Sequence, residues 1–133
     1  MAITEKQRLL FFLFTLLLTF SVVLSILFLF PFSNLNLGAF NIHHLFIGAF
    51  LLVVANIFIM AGVVGRLVLL VAGAASALVL DEIVYLIATD GSDFSYLTPI
   101  SFIGALILIG ITVIVTAFAY WVSQRVKGRS LTF

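Results

Sequence analysis

Four long apolar stretches, separated by short segments of polar or turn-forming residues, account for most of the 133-residue chain. They run over residues 9–30, 42–64, 67–88 and 99–122. A helix needs about 20 mainly apolar residues to cross the ~30 Å hydrocarbon core of a bilayer, so each stretch predicts one membrane-spanning helix. The pattern therefore predicts an all-α membrane protein, a single four-transmembrane-helix bundle that occupies residues 1–133.

The segments between the stretches predict where the helices begin and end. Residues 31–41 combine turn formers with apolar residues and carry no charge, which is typical of a loop at the membrane interface. Asn41 is the predicted N-cap of the second helix. Residues 65–66 predict a tight turn into the third helix, and Thr98 followed by Pro99 predicts the start of the fourth.

The basic residues lie before the first predicted helix, between the second and third, and after the fourth. Lys and Arg accumulate on the cytoplasmic side of membrane proteins. This distribution predicts a multi-pass protein of the cell membrane with both termini in the cytoplasm (N-in/C-in). His43 and His44 would then lie on the extracytoplasmic side.

The composition agrees with an integral membrane protein. The chain is 65% hydrophobic and 8% charged, whereas soluble domains carry roughly 25% charged residues. The lipid bilayer is therefore the expected surrounding, and no room remains for a soluble domain. A net charge of +1 gives no sign of a nucleic-acid partner, and the absence of cysteine excludes disulfides and thiolate chemistry.

Asp81 and Glu82 are adjacent acids inside the third apolar stretch. A carboxylate within the bilayer costs about 2.5–3.5 kcal/mol on insertion scales, so a partner or a function is expected. Asp81 follows Gly73 and Ala77 at intervals of four residues, and this ridge of small residues predicts that Asp81 faces the bundle interior. Glu82 is rotated by about 100° from Asp81, and the pattern does not fix its direction.

His43 and His44 fall in the first turn of the second predicted helix. Imidazole and carboxylate groups together suit divalent zinc, manganese or iron. The sequence therefore predicts a divalent metal site, with His43, His44, Asp81 and Glu82 as its candidate ligands.

Helix geometry places the histidines above the acids. If the second and third helices fold back about residues 65–66, His44 lies about 7.5 Å above Glu82 and about 9 Å above Asp81, at ~1.5 Å per residue. Gly48, one turn from His44, leaves space for a side chain or water from the third helix. Direct coordination by all four residues is therefore not expected from straight helices.

Three arrangements would resolve this separation. The 31–41 loop or a helix break could lower the histidines, or the histidines could form an outer site with Asp90 or Asp93. Alternatively, Tyr85 and water could connect an upper histidine layer to a lower acid layer. Simpler interpretations also exist, because histidines are common at the headgroup level and acids in a Gly-Ser loop are typical of solvated turns.

Two short motifs resemble a known family. The residues that carry the resemblance are Ile42-His43-His44, Gly48, Leu80-Asp81-Glu82, Asp93, Tyr96 and Ser101. They resemble a family of uncharacterised small prokaryotic integral membrane proteins marked by an Ile-His-His and a Leu-Asp-Glu element. The resemblance supplies no activity, but it implies that the His pair and the Asp-Glu pair belong to one functional unit.

Three functional hypotheses follow. The first is a metal-binding membrane enzyme that acts on a lipid or other amphiphile, with Glu82, Asp81 and Tyr85 as candidate catalytic residues. The second is an accessory subunit of a larger membrane complex, in which the acids pair with a neighbouring chain. The third is a homo-oligomeric proton or cation pathway with Asp81 as the titrating group.

Overall fold

The computed structural model describes residues 3–30, 36–37, 40–41 and 43–130, and most of this length is helical. The helices are α1 (Glu5–Leu29), α2 (His44–Met60), α3 (Arg66–Ala88) and α4 (Pro99–Ser130). Two short antiparallel strands, β1 (Asn36–Leu37) and β2 (Phe40–Asn41), and a turn of 3₁₀ helix at Asp93–Ser95 complete the described elements. All four predicted helices are present. The rest of the predicted 31–41 loop lies outside the described residues.

Three of the described helices, α1, α3 and α4, are long and apolar enough to cross a membrane. The second helix, α2, has 17 residues. At ~1.5 Å per residue it is about 25 Å long, which is less than the ~30 Å hydrocarbon core. The helix predicted over residues 42–64 is present and apolar, but it is shorter than predicted at both ends.

The early end of α2 is caused by a glycine. Gly62 adopts the left-handed conformation, with φ +79°. Its N–H donates to the Ile59 carbonyl, and the Val63 N–H donates to the Phe58 carbonyl, at 3.0 and 2.9 Å. These two bonds form a Schellman motif, which satisfies the last carbonyls of the helix and requires a residue without a side chain at its turn. The connection to α3 consequently takes up residues 61–65 and is not a tight turn at 65–66.

Two other helix boundaries also differ from prediction. The first helix begins at Glu5, before residue 9, because Thr4 and Gln7 form a capping box in which each side chain accepts the backbone N–H of the other. The fourth helix begins at Pro99 as predicted but continues to Ser130, beyond the predicted end at 122. The third helix lies within one residue of its predicted bounds.

The third helix lies at the centre and contacts the other three. The buried apolar core is formed by Leu16 and Phe20 of α1, Ala77 of α3, and Ala105 and Ile109 of α4. Small residues on α3 let its neighbours come close, as the sequence predicts. At Gly73, for example, an added Cβ would collide with the Phe12 carbonyl oxygen and the Thr15 hydroxyl.

One end of the bundle holds all the basic residues, and we call it the basic end. Here Glu5 of α1 forms an ion pair with Lys127 of α4 and accepts a 2.7 Å hydrogen bond from Gln124. The Arg66 guanidinium at the start of α3 lies 5.7 Å from the Phe11 ring centroid. The helix ends that meet here carry Lys6, Arg8, Arg66, Arg125, Lys127 and Arg129. The acids at positions 81 and 82 lie toward the opposite end.

The Schellman motif predicts a difference between two neighbouring glycines. An added Cβ would meet no atom within 4 Å at either Gly62 or Gly65, but only Gly62 has a positive φ. We expect Gly62→Ala to reduce the free energy of unfolding by about 1–2 kcal/mol, because an L side chain is strained in this conformation. Gly65→Ala is the matched control and should change it by less than about 0.5 kcal/mol. Equal effects in detergent unfolding would contradict the assignment.

Candidate functional site

Asp81 and Glu82 both lie inside the protein. Their relative exposures are 3% and 2%. The interior position predicted for Asp81 is confirmed, and Glu82, whose direction the sequence left open, is also turned inward. A carboxylate removed from water in this way needs hydrogen-bond partners or a counter-charge.

Both partners come from the start of α2. The Nδ1 atom of His43 is hydrogen-bonded to Oε1 of Glu82, and Nε2 of His44 lies 3.0 Å from Oδ2 of Asp81. The imidazoles are about one quarter exposed, while the carboxylates are almost fully covered. The predicted separation of 7.5–9 Å between the histidines and the acids is therefore wrong.

The early end of α2 explains this contact. A turn at residues 65–66 would place each residue of α2 beside a certain residue of α3. With the connection at residues 61–65, the α2 residue lies instead beside an α3 residue that is five positions earlier in the sequence. Five residues correspond to about 7.5 Å along a helix. This shift is the whole predicted offset, and it puts His44 level with Glu82.

The packing of Gly48 is consistent with the same register. A Cβ at this position would lie 2.8 Å from the Ala75 carbonyl oxygen and 2.8 Å from Cβ of Leu78. The space predicted beside Gly48 is thus filled by α3 itself, including the Leu78 and Val79 side chains. The close contact holds the start of α2 against the acid pair.

Glu82 also caps α2. The N-cap residue is His43, which makes no capping bond with its own side chain, and the predicted N-cap Asn41 is wrong because Asn41 lies in β2. The Leu45 N–H instead donates to Oε2 of Glu82 at 2.7 Å. A carboxylate at this position satisfies a free N–H group and interacts favourably with the positive end of the helix dipole.

A tyrosine from the α3–α4 connection completes the group. The Tyr96 hydroxyl donates to Oδ2 of Asp81 and lies 3.4 Å from Nε2 of His44. The Nδ1 atom of His44 is in turn 3.5 Å from Oε2 of Glu82, so His44 lies between the two carboxylates. We refer to His43, His44, Asp81, Glu82 and Tyr96 as the cluster.

The electrostatic surroundings keep Tyr96 in its neutral form. Burial, followed by the negative charge of Asp81, raises the pKa of the phenol well above its ordinary value. The hydroxyl therefore remains a hydrogen-bond donor throughout the physiological pH range. In the sequence, Tyr96 was connected to the site only by the family resemblance, because a residue in a loop has no periodic relation to the acids on α3.

Tyr85 has a different position from the predicted relay. Its side chain is 2% exposed, and its hydroxyl donates to the Gly91 carbonyl in the α3–α4 connection. Its ring lies 4.8 Å from that of Tyr96 and 6.1 Å from that of His43, measured between centroids. Tyr85 thus lies beside Tyr96 and His43 in the wall of the cluster.

Asp90 stands apart from the cluster. Asp90 accepts hydrogen bonds from the backbone N–H and the hydroxyl of Ser92, at 3.0 and 2.8 Å. These bonds lower the pKa of the Asp90 carboxyl. This is the geometry of a solvated turn residue, and the histidines bond to Asp81 and Glu82 instead. The side chain of Asp93 lies outside the described residues.

The metal predicted from the sequence can be compared with this geometry. Among the residues that the structure describes, no group of three or more His, Asp or Glu side chains is arranged to hold a metal ion. Nδ1 of His43 and both ring nitrogens of His44 lie against carboxylate oxygens of Asp81 and Glu82. Metal binding by His43, His44, Asp81 and Glu82 stays a prediction.

Comparisons of the chain with family models, curated proteins and solved structures gave no match. The resemblance carried by the Ile-His-His and Leu-Asp-Glu motifs stays an interpretation of those residues. The function has to be inferred from the geometry of the cluster.

The two His–carboxylate pairs predict measurable coupling. We expect a double-mutant cycle of His44→Ala and Asp81→Ala to give an interaction energy of at least about 1 kcal/mol, since hydrogen bonds to charged groups contribute about 1.5–3 kcal/mol. The free energy of unfolding in detergent is the quantity to measure.

The control cycle combines His44→Ala with Asp90→Ala. Asp90 is bonded to Ser92 and not to the cluster, so these changes should be additive within about 0.5 kcal/mol. Additivity in the His44–Asp81 cycle would show that the pair does not form.

Proposed function

We propose that the protein is a multi-pass membrane enzyme that uses the cluster for general acid–base chemistry on an amphiphile. The observation that carries this proposal is the pairing of His43 with Glu82. One ring nitrogen of His43 bonds to a buried carboxylate, while the ring itself is about one quarter exposed. The exposed side of the ring is available to a substrate.

The pairing gives His43 the features of a general base. Because Nδ1 is bonded to Oε1 of Glu82, the proton of the neutral ring belongs on Nδ1, and Nε2 keeps its lone pair. A carboxylate on Nδ1 fixes the tautomer and orientation of the imidazole and stabilises the imidazolium that forms when Nε2 takes a proton. Glu82 is itself held by the Leu45 N–H, so the base is positioned on two helices.

His44 has a different role. Its two ring nitrogens face Asp81 and Glu82, so it connects the two carboxylates.

Hydrolysis of an ester-linked amphiphile fits this arrangement. Water would give a proton to Nε2 of His43 while its oxygen adds to the ester carbonyl carbon. The proton then returns to the alcohol oxygen as the carbon–oxygen bond breaks. Positioned acid–base groups of this kind contribute about 10²–10⁴-fold to the rate.

The orientation forms part of the proposal. The basic end of the bundle carries every Lys and Arg of the chain, which favours a cytoplasmic position for that end. Both termini would then be cytoplasmic, and the cluster would lie in the extracytoplasmic half of the cell membrane.

The other predictions remain predictions. A divalent ion would have to replace the hydrogen bonds between the histidines and the acids, and an accessory-subunit role needs a partner chain.

A proton pathway would have to pass between the cluster and the basic end. In the described part of the chain, the buried core between them is apolar and includes Phe20 and Ile109. A pathway across the membrane would therefore run between chains of an oligomer and not through one bundle.

The acid–base proposal can be tested with purified protein in lipid nanodiscs. A panel of neutral ester amphiphiles, followed by mass spectrometry of the products, should reveal turnover. We expect His43→Gln and Glu82→Gln to lower it by at least about 100-fold. Asp90→Asn is the control and should have no effect, because Asp90 is bonded only within its turn.

Two results would overturn this proposal. The first is turnover that is equal in the His43→Gln variant and the wild type. The second is turnover that is lost on chelation and restored only by Zn²⁺, Mn²⁺ or Fe²⁺, which would return the site to the metal-binding hypothesis. Turnover that survives chelation supports the acid–base proposal.

The orientation can be tested separately, because the chain has no cysteine. Phe94, which is 83% exposed near the cluster, and Gly128, which is exposed at the basic end, suit single-cysteine variants. We expect a membrane-impermeant maleimide to label Phe94→Cys in intact spheroplasts, and Gly128→Cys only after lysis. The reverse pattern would refute the cytoplasmic placement of the termini.

A further inference from the structure

An open groove lies between α1 and α4 at the end of the bundle that holds the cluster. Its volume is about 550 Å³, and it is lined by Leu24, Ser25, Phe28, Leu29, Leu97 and Phe102. At the basic end the same two helices are joined by Glu5 and Lys127. The volume falls in the range of about 300–1,000 Å³ that is usual for small-molecule sites.

The groove leads toward the cluster. A small gap of about 10 Å³ lies behind it, and this gap is lined by Asp81, Tyr96 and Ser101 as well as by residues of the groove. Leu24, Leu97 and Phe102 line both spaces. These three apolar side chains therefore separate an apolar groove from a buried carboxylate and its tyrosine partner.

The charge distribution limits what the groove can bind. None of the six Lys and Arg residues lies near it, because all belong to the basic end. The polar atoms behind the groove are a carboxylate and hydroxyls. An anionic headgroup would meet Asp81 with no Lys or Arg nearby to compensate its charge, whereas an uncharged hydroxyl could donate a hydrogen bond to it.

We propose that the α1/α4 groove binds the apolar chain of an uncharged, hydroxyl-bearing amphiphile of the diacylglycerol type. Its head group would reach Asp81 and Tyr96 when Phe102 and Leu97 move aside. The proposal deepens the proposed function by naming the substrate class, and it relies on that function only for what happens to the bound molecule. Binding itself can be measured without turnover.

The test uses the full chain in phosphatidylcholine vesicles that contain a diacylglycerol with a diazirine-bearing acyl chain. After irradiation, mass spectrometry of peptides locates the labelled residues. We expect residues 24–29 and 97–102 to be labelled at least about tenfold more than the exposed apolar face of α4 at residues 106–118. A phosphatidic acid probe with the same diazirine chain should not show this preference.

Two serines supply matched variants. Ser25 lines the groove and Ser21 does not, while both are exposed and donate their hydroxyls to a carbonyl one turn earlier. We expect Ser25→Trp to fill the groove and reduce its labelling by about tenfold. Ser21→Trp should leave the labelling unchanged.

Several results would overturn the inference. They are uniform labelling of all lipid-facing surfaces, equal labelling by the anionic probe, equal effects of the two tryptophan variants, and crosslinks at the groove between two copies of the chain. The Glu82→Gln variant separates the two proposals, because it should lose turnover and keep groove labelling. Turnover in a protein whose groove is not labelled would leave the acid–base proposal standing and remove this one.

Discussion

Two carboxylates inside an apolar bundle need partners, and the rest of this structure is arranged to supply them. Asp81 and Glu82 are almost fully covered, and each bonds to a histidine at the start of α2. Removing one member of such a pair leaves a buried group without compensation, which is far more destabilising than never having the pair. The start of α2, the packing of Gly48 and the position of Tyr96 can all be understood as consequences of this requirement.

The contact depends on where α2 ends. Each residue added to or removed from the end of α2 moves the histidines along the bundle by about 1.5 Å. The Schellman motif at Gly62 therefore acts at a distance of about five turns, since it sets the register that brings His44 level with Glu82. A glycine with no contact to the cluster is in this way one of its structural determinants.

Much of the fold could be predicted from hydrophobic pattern, but the site could be predicted only in part. The bounds of α3 and the inward direction of Asp81 follow from an apolar stretch and a ridge of small residues, which are local signals. The His–acid contacts depend on the register between α2 and α3. Assigning the connection to residues 65–66, and not to residues 61–65, changes this register by five residues. Gly62 was a readable signal, because glycine is common just after a helix end. Tyr96 could be linked to the site only through the family resemblance, because its position depends on how a loop folds over α3.

The short length of α2 has a consequence for the surrounding membrane. Glu82 bonds to the start of α2 and lies six residues before the last residue of α3, Ala88. The start of α2 is therefore about 9 Å below the end of α3 along the axis of α3. This contact holds α2 in its register along the bundle, and the helix is about 5 Å shorter than the ~30 Å hydrocarbon core of a typical bilayer. A bilayer accommodates a short hydrophobic segment by thinning locally. Water and headgroups would thus be drawn down toward the histidines, whose rings are about one quarter exposed.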